Sequence, residues 1–241
     1  MNMNRKIIGT VGIVFLLLLG GVVVSAKGPQ GKIAGSKDGG LDDKEIAGLL
    51  FMREEEKLAR DVYLTLYQTW NQLPIFNNIA NSEQTHMDAI KKLLDKYGLS
   101  APTEDMGIGE FQNMELQVLY LDLIQKGSIS LIDALETGAA IEEIDILDLE
   151  NYLAETDHWD IQRVYNNLLE GSKNHLRAFV SALLAQGITY GPQYLSQEKF
   201  DDIINDDGIT NGFYNLIQNL KQLRFRANIK NMLGNLKGEG D

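Results

Sequence analysis

Cysteine is absent from this chain of 241 residues. No disulfide can brace the fold, and thiolate metal sites and thiol catalysis are excluded with it. Basic residues are scarce beside acidic ones, 22 Lys and Arg against 34 Asp and Glu. That balance argues against nucleic acid as a main partner and is compatible with attracting cations, although a solubilising surface is the commoner use of such charge. The alternation of a half-buried strand is also missing. So are a Gly-rich phosphate loop leading into a helix, a Ser-His-Asp order and a calcium loop of recognised spacing.

What is present begins with Arg5 and Lys6, an apolar run from Ile7 to Val24, and small residues at Val24-Ser25-Ala26. This is the three-part pattern of an export signal, with cleavage expected after Ala26. Left uncut, the run is long enough to span a bilayer and would anchor the chain. Residues 1–26 are thus expected to be a signal peptide or N-terminal anchor, and 27–40 a flexible Gly-, Lys- and Ser-rich linker. The mature protein is expected outside the cell or in its envelope, and its remaining length suits one domain with a full core.

Nearly every later segment reads as helix. The first is predicted from Asp42-Asp43 to about Trp70, with Leu49, Met52, Ala59, Tyr63, Leu66 and Trp70 on one stripe and Glu56 inside it. A break at Asn71 to Leu73 and a starting Pro74 lead to a second helix that ends around Gly98. A shorter amphipathic helix spans Asn113 to Lys126, closed by Gly127. A third long one runs from Ser130 to about Glu155. Thr156 and Asp157 can cap a fourth, from His158 to about Gln186. Short connections make two antiparallel hairpins, and the link from Leu99 to Ile129 is long enough to run the length of a bundle. The expected fold is all-α: a ferritin-like four-helix bundle over 41–190 with one long crossover. A C-terminal extension, 191–241, turns irregular after Gly187 and then carries a basic amphipathic helix from Phe213 to Leu236.

The chemistry centres on Ser82-Glu83-Gln84-Thr85-His86. Glu83 and His86 share a stripe with Phe76, Ile79, Ile90, Leu93 and Tyr97. Burying an unpaired carboxylate there is costly, so something must compensate it. Glu-x-x-His sets an oxygen and a nitrogen one turn apart on the same side, which suits a metal ion in a bundle core. Glu56 completes the first hairpin's share. In the second, Glu142 falls inward among Leu135, Ala139, Ile146, Leu149 and Leu153, with Glu143 beside it and Asp145 one turn on, on a neighbouring face. The fourth helix offers His175, but Ser172 stands where a carboxylate is expected. Either Glu142 and Glu143 (or Asp145) jointly supply the absent oxygens and keep two metals, or only one metal binds firmly. The plainer reading is that Glu83 and His86 hydrogen-bond each other and a buried tyrosine. Tyr63, two turns from Glu56, could donate to an oxygen species held by the metal, with core packing its commoner use. Arg60 could pair with Glu56 at i,i+4 or support the site from outside. His158 reads as a cap or surface residue.

Four stretches carry a resemblance: Glu56-Lys57-Leu58-Ala59-Arg60-Asp61-Val62-Tyr63, Ser82 to His86, Glu142-Glu143-Ile144-Asp145-Ile146, and Gly171-Ser172-Lys173-Asn174-His175-Leu176-Arg177-Ala178-Phe179. They resemble the DUF2202 family of ferritin-like proteins, over about Asp43 to Ile204, and Pro192-Gln193-Tyr194-Leu195-Ser196 fits it too. The first stretch is similar to the ligand helix of rubrerythrin, which implies Glu56 as a ligand; Glu83 and His86 carry over directly. On the fourth helix only His175 carries over. With no cysteine there is no rubredoxin-type iron centre for electron delivery. Joined to the signal pattern and to the Glu142-Glu143 pair read from the third helix, the resemblance leads us to expect an exported dinuclear protein with two iron ions, or iron with manganese, at Glu56, Glu83, His86, Glu142, Glu143 and His175. Ferroxidase or peroxidase chemistry with dioxygen or peroxide would follow, assisted by Tyr63. A non-catalytic metal-binding or interaction module of the cell envelope is the alternative, and a homodimer is left open.

Overall fold

Asp42 begins the first helix, α1 (Asp43–Thr69), with a reciprocal cap. Its carboxylate accepts from the backbone N–H of Lys44 and Glu45, and Glu45 accepts from the Asp42 N–H at 3.0 Å. Asn71 and Gln72, at φ 52° and 58°, turn the chain sharply. Pro74 then opens α2 (Pro74–Lys96) at the position where a missing N–H costs nothing. Gly98, at φ 68°, ends that segment. Asn113 caps α3 (Met114–Gly127) and Ser130 caps α4 (Leu131–Glu155). The next helix, α5 (Trp159–Ala185), is not capped by Thr156 or Asp157 as expected: His158 holds the N-cap position and makes no side-chain cap bond. Thr156 instead donates to Glu45 at 2.5 Å, and the His158 ring also meets Glu45, at 2.6 Å, so this corner is tied to the start of α1.

The computed structural model describes residues 40–206, and among them there is helix but no strand. The expected signal or anchor, nearly all of the linker and the basic helix from Phe213 to Leu236 lie outside the described residues. No described helix is long and apolar enough to cross a membrane. One described helix was not expected, α6 (Gln197–Asn205). It is too short to show a helical period in sequence, and it forms because Ser196 caps it and Phe200, Ile203 and Ile204 bury a small apolar face against α5.

α1 packs along α2 and α4 along α5, each pair joined by a short turn. α1 also meets α4, and α2 meets α5, so each of the four long helices has two long neighbours. Leu49, Met52, Leu66, Phe76, Ile90, Leu135, Ile146, Leu149, Ile161 and Phe179 fill the space between them. Each such side chain contributes about 1.5–3 kcal/mol on burial.

The link from α2 to α4, including α3, is lashed to α1 by polar groups. Lys57 and Asp61 form a wholly buried ion pair at 2.5 Å. Lys57 also donates to Gly107 O at 2.7 Å, and Asp61 accepts from Gly109 N at 2.9 Å. Glu54 accepts from the N–H groups of Gln112 and Asn113, and the Trp70 indole donates to Gly127 O. Arg60 bonds Asp61 and Gln84. It is therefore not paired with Glu56, because Asp61 already presents an acceptor on its own turn.

Candidate metal centre

Halfway along the four long helices the apolar core gives way to acids and imidazoles. Glu56, Glu83 and Glu142 are at most 2% exposed, and His86 and His175 are 8% exposed. Glu83 lies at the middle. One of its oxygens is 2.7 Å from His86 Nδ1, and the other is 2.8 Å from His175 Nδ1. Glu56 approaches His86 Nδ1 at 3.1 Å, and Glu142 approaches His175 Nδ1 at 3.4 Å. Two triads result, Glu56–Glu83–His86 and Glu83–Glu142–His175, each compact enough to hold a metal ion and sharing one carboxylate.

Several of these atoms face inward with no conventional partner. Glu56 Oε1, Glu83 Oε1 and His175 Nδ1 are buried and make no hydrogen bond. Glu83 Oε1 and His175 Nδ1 are close, yet they are not aligned for one. His175 Nε2 lies 2.9 Å from Ser82 Oγ, so when the ring donates there its Nδ1 lone pair is turned toward the two carboxylates. On the other side His86 presents Nε2 to the α5 backbone at Gly171, where an added Cβ would lie 2.6 Å away. Glycine is what lets α5 come this close. The rings of His86 and His175 stack with centroids 5.6 Å apart.

The electrostatics are those of a crowded acidic pocket. Burial, then Asp145, push the Glu56 carboxyl well above its usual range. Burial also raises Glu142, with Glu83 adding to it and His175 opposing. Burial alone would lower His86 and His175, but the facing carboxylates outweigh it and lift them to about 11 and about 10. Glu83 is resisted by burial and still held below the carboxylate range by the two imidazoles. Without an added cation, the group must keep protons on acids and imidazoles alike.

The other expected residues fall differently. Tyr63 is wholly buried, and its hydroxyl donates to Glu142 Oε1 at 2.5 Å, with Gly138 O at 3.3 Å. Glu143 is not brought to the cluster. Its carboxylate accepts from Tyr190 and from the N–H groups of Gln193, Tyr194 and Leu195, clamping the segment after α5. Asp145 belongs to neither triad but lies near enough to bear electrostatically on Glu56, Glu83, Glu142 and His86: Ser172 Oγ donates to its Oδ2, while Oδ1 is buried without a partner. Sequence reading missed Ser82 and Gly171. The glycine was visible as a costly residue in mid-helix, which usually has a packing reason. A third grouping, Glu45 with Asp157 and His158, includes the fully exposed Asp157, and its Glu45 oxygens already accept from the Asp42 N–H and the Thr156 hydroxyl.

Among the described residues the regular structure is all helical, with a buried carboxylate–imidazole cluster drawn from four helices. The chain belongs to the family described as "Uncharacterized protein domain (DUF2202)", which matches residues 45–207. A similar chain is the uncharacterized protein MJ0754 of Methanocaldococcus jannaschii, 53% identical over 165 residues, covering 68% of this chain and 89% of that protein. Among solved structures, the crystal structure of hypothetical protein MJ0754 from Methanococcus jannaschii DSM 2661 matches with a TM-score of 0.67 at 51% identity. It covers 71% of this chain and 97% of that one.

Proposed function

We propose that this chain is a ferritin-like dinuclear metal protein, carrying two iron ions or iron with manganese, and that its chemistry is redox chemistry with dioxygen or peroxide. The carrying observation is Glu83, shared between two buried triads in which Glu56 Oε1, Glu83 Oε1 and His175 Nδ1 have no hydrogen-bond partner. Charge supports the reading: when ionised, Glu56, Glu83, Glu142 and Asp145 need as much positive charge as two divalent cations bring. The donor set of carboxylates with one imidazole per triad suits iron and manganese. The two helix pairs joined by a long crossover support a ferritin-like bundle.

Glu56, Glu83 and His86 would hold one ion, and Glu83, Glu142 and His175 the other. Bound ferrous iron would supply the electrons that reduce dioxygen or peroxide. The protein's own work is positional. Ser82 sets the orientation of the His175 ring. Tyr63 holds a proton at its hydroxyl against Glu142 and keeps that carboxylate in place. Burial of the acids excludes bulk water, so each carboxylate meets a cation in a low-dielectric setting. The Arg5 to Ala26 pattern supports an exported location.

The test is metal analysis of the full chain with anomalous scattering at the iron edge. Iron near two atoms per chain, absorbance changes on adding oxygen or peroxide, and loss of the anomalous peaks in His86→Ala are expected. Loosely held zinc with no redox response would favour the non-catalytic envelope module, and no bound metal would end the proposal.

A further inference from the structure

We infer that Asp145 is a further metal ligand of the centre, standing on α4 in place of the carboxylate that α5 lacks at Ser172. The inference rests on the dinuclear reading and adds a residue to it. Asp145 follows Glu142 by three residues, so the two lie on one side of α4. Glu143, a step of about 100° around the helix, is turned to the segment after α5 and is fully used there. The carboxylate that can serve beside Glu142 is therefore Asp145.

Ser172 occupies the turn before His175 and is wholly buried. Its side chain is too short to reach across the centre, yet its hydroxyl donates to Asp145 Oδ2 and also lies 2.9 Å from Leu168 O. Serine at this place thus orients the acid arriving from the facing helix. Asp145 Oδ1 is left buried and unpartnered, as are Glu56 Oε1 and Glu83 Oε1. An unpaired carboxylate oxygen in such a place costs free energy unless something positive meets it. Asp145 also bears on members of both triads: its charge acts on Glu56, and it is itself acted on by Glu142, Glu83 and His86. A buried carboxylate with a free oxygen beside both triads is the further oxygen donor that this centre would draw on.

The experiment is an anaerobic titration of the metal-free full-length chain with Mn(II), read by bound metal per chain and by electron paramagnetic resonance. Wild type is expected to take about two ions with a spin-coupled spectrum. Asp145→Asn should take one, with the spectrum of an isolated ion, and adding Ser172→Glu to it should restore the second. Two coupled ions in Asp145→Asn would overturn the role of Asp145 and leave the dinuclear reading standing. No bound Mn(II) in wild type would overturn both. Should Asp145→Asn fail to fold, Ser172→Ala decides: losing the group that orients Asp145 should weaken the second ion about 10–100-fold. An unchanged second affinity in Ser172→Ala would count against Asp145 as a ligand.

Discussion

Gly171→Ala sets two effects of opposite sign against each other. In an ordinary helix the change from glycine to alanine stabilises by about 1 kcal/mol. Here the new methyl would sit 2.6 Å from His86 Nε2 and 2.7 Å from Cε1. That is roughly 0.8 Å short of ordinary contact, and the ring cannot simply swing aside because Nδ1 faces Glu56 and Glu83 on its other edge. Overpacking of this kind costs about 1–3 kcal/mol, so net stability of the metal-free protein should change little or fall by up to about 2 kcal/mol. Metal binding has no such compensation. A coordination distance tolerates only about 0.2 Å, so displacing the imidazole should weaken affinity about 10–100-fold. Gly48→Ala is the control: its methyl would press on Tyr152 at 2.7 Å, far from any ligand, and should cost stability without touching metal affinity. Denaturant melts of the metal-free proteins and Mn(II) titrations read the two quantities separately. Full wild-type affinity in Gly171→Ala, together with a gain of about 1 kcal/mol, would refute the close approach of α5 to His86.

Lys57→Met should destabilise by about 1–3 kcal/mol in a denaturant melt, because buried Asp61 loses one partner while Arg60 and the Gly109 N–H still hold it. Glu143→Gln should speed amide hydrogen exchange at Gln193, Tyr194 and Leu195 while metal content stays at the wild-type level. The pH dependence has a definite sign. His86 and His175 sit above 6.5 when folded, and Asp145 is pushed by burial to about 8, so all three favour the metal-free fold at low pH and stop doing so as pH rises. Glu83, held low, contributes a constant amount across that range. Metal binding displaces those protons and tightens with pH. The difference in Tm between metal-loaded and metal-free protein should therefore widen from about pH 5 to about pH 8, as thermal scans would show.

The helices were legible because their punctuation is chemical. Asp42, Pro74, Asn113 and Ser130 each sit where the structure starts a helix, and the buried stripe around Glu83 and His86 has a clean period. α6 was not legible, since two turns with one small apolar face leave too little pattern. At the site, Glu142 and Glu143 could not be told apart by adjacency, although consecutive helical residues point in different directions and only one can face the centre. Their separation came from the Gln193–Leu195 amides, which lie some fifty positions away in the chain and leave no mark on local sequence. Ser172 read as a missing acid because position alone does not reveal a donor aimed at a neighbouring helix.

The hydrogen bond between His175 and Ser82 joins one hairpin to the other at the cluster itself. The Glu56–Glu83–His86 triad lies within the first hairpin, whereas the Glu83–Glu142–His175 triad comes into being only when the halves close on each other. On the dinuclear reading, an ion in that second triad would brace one half against the other, and the supply of metal would set how firmly the pair stays shut.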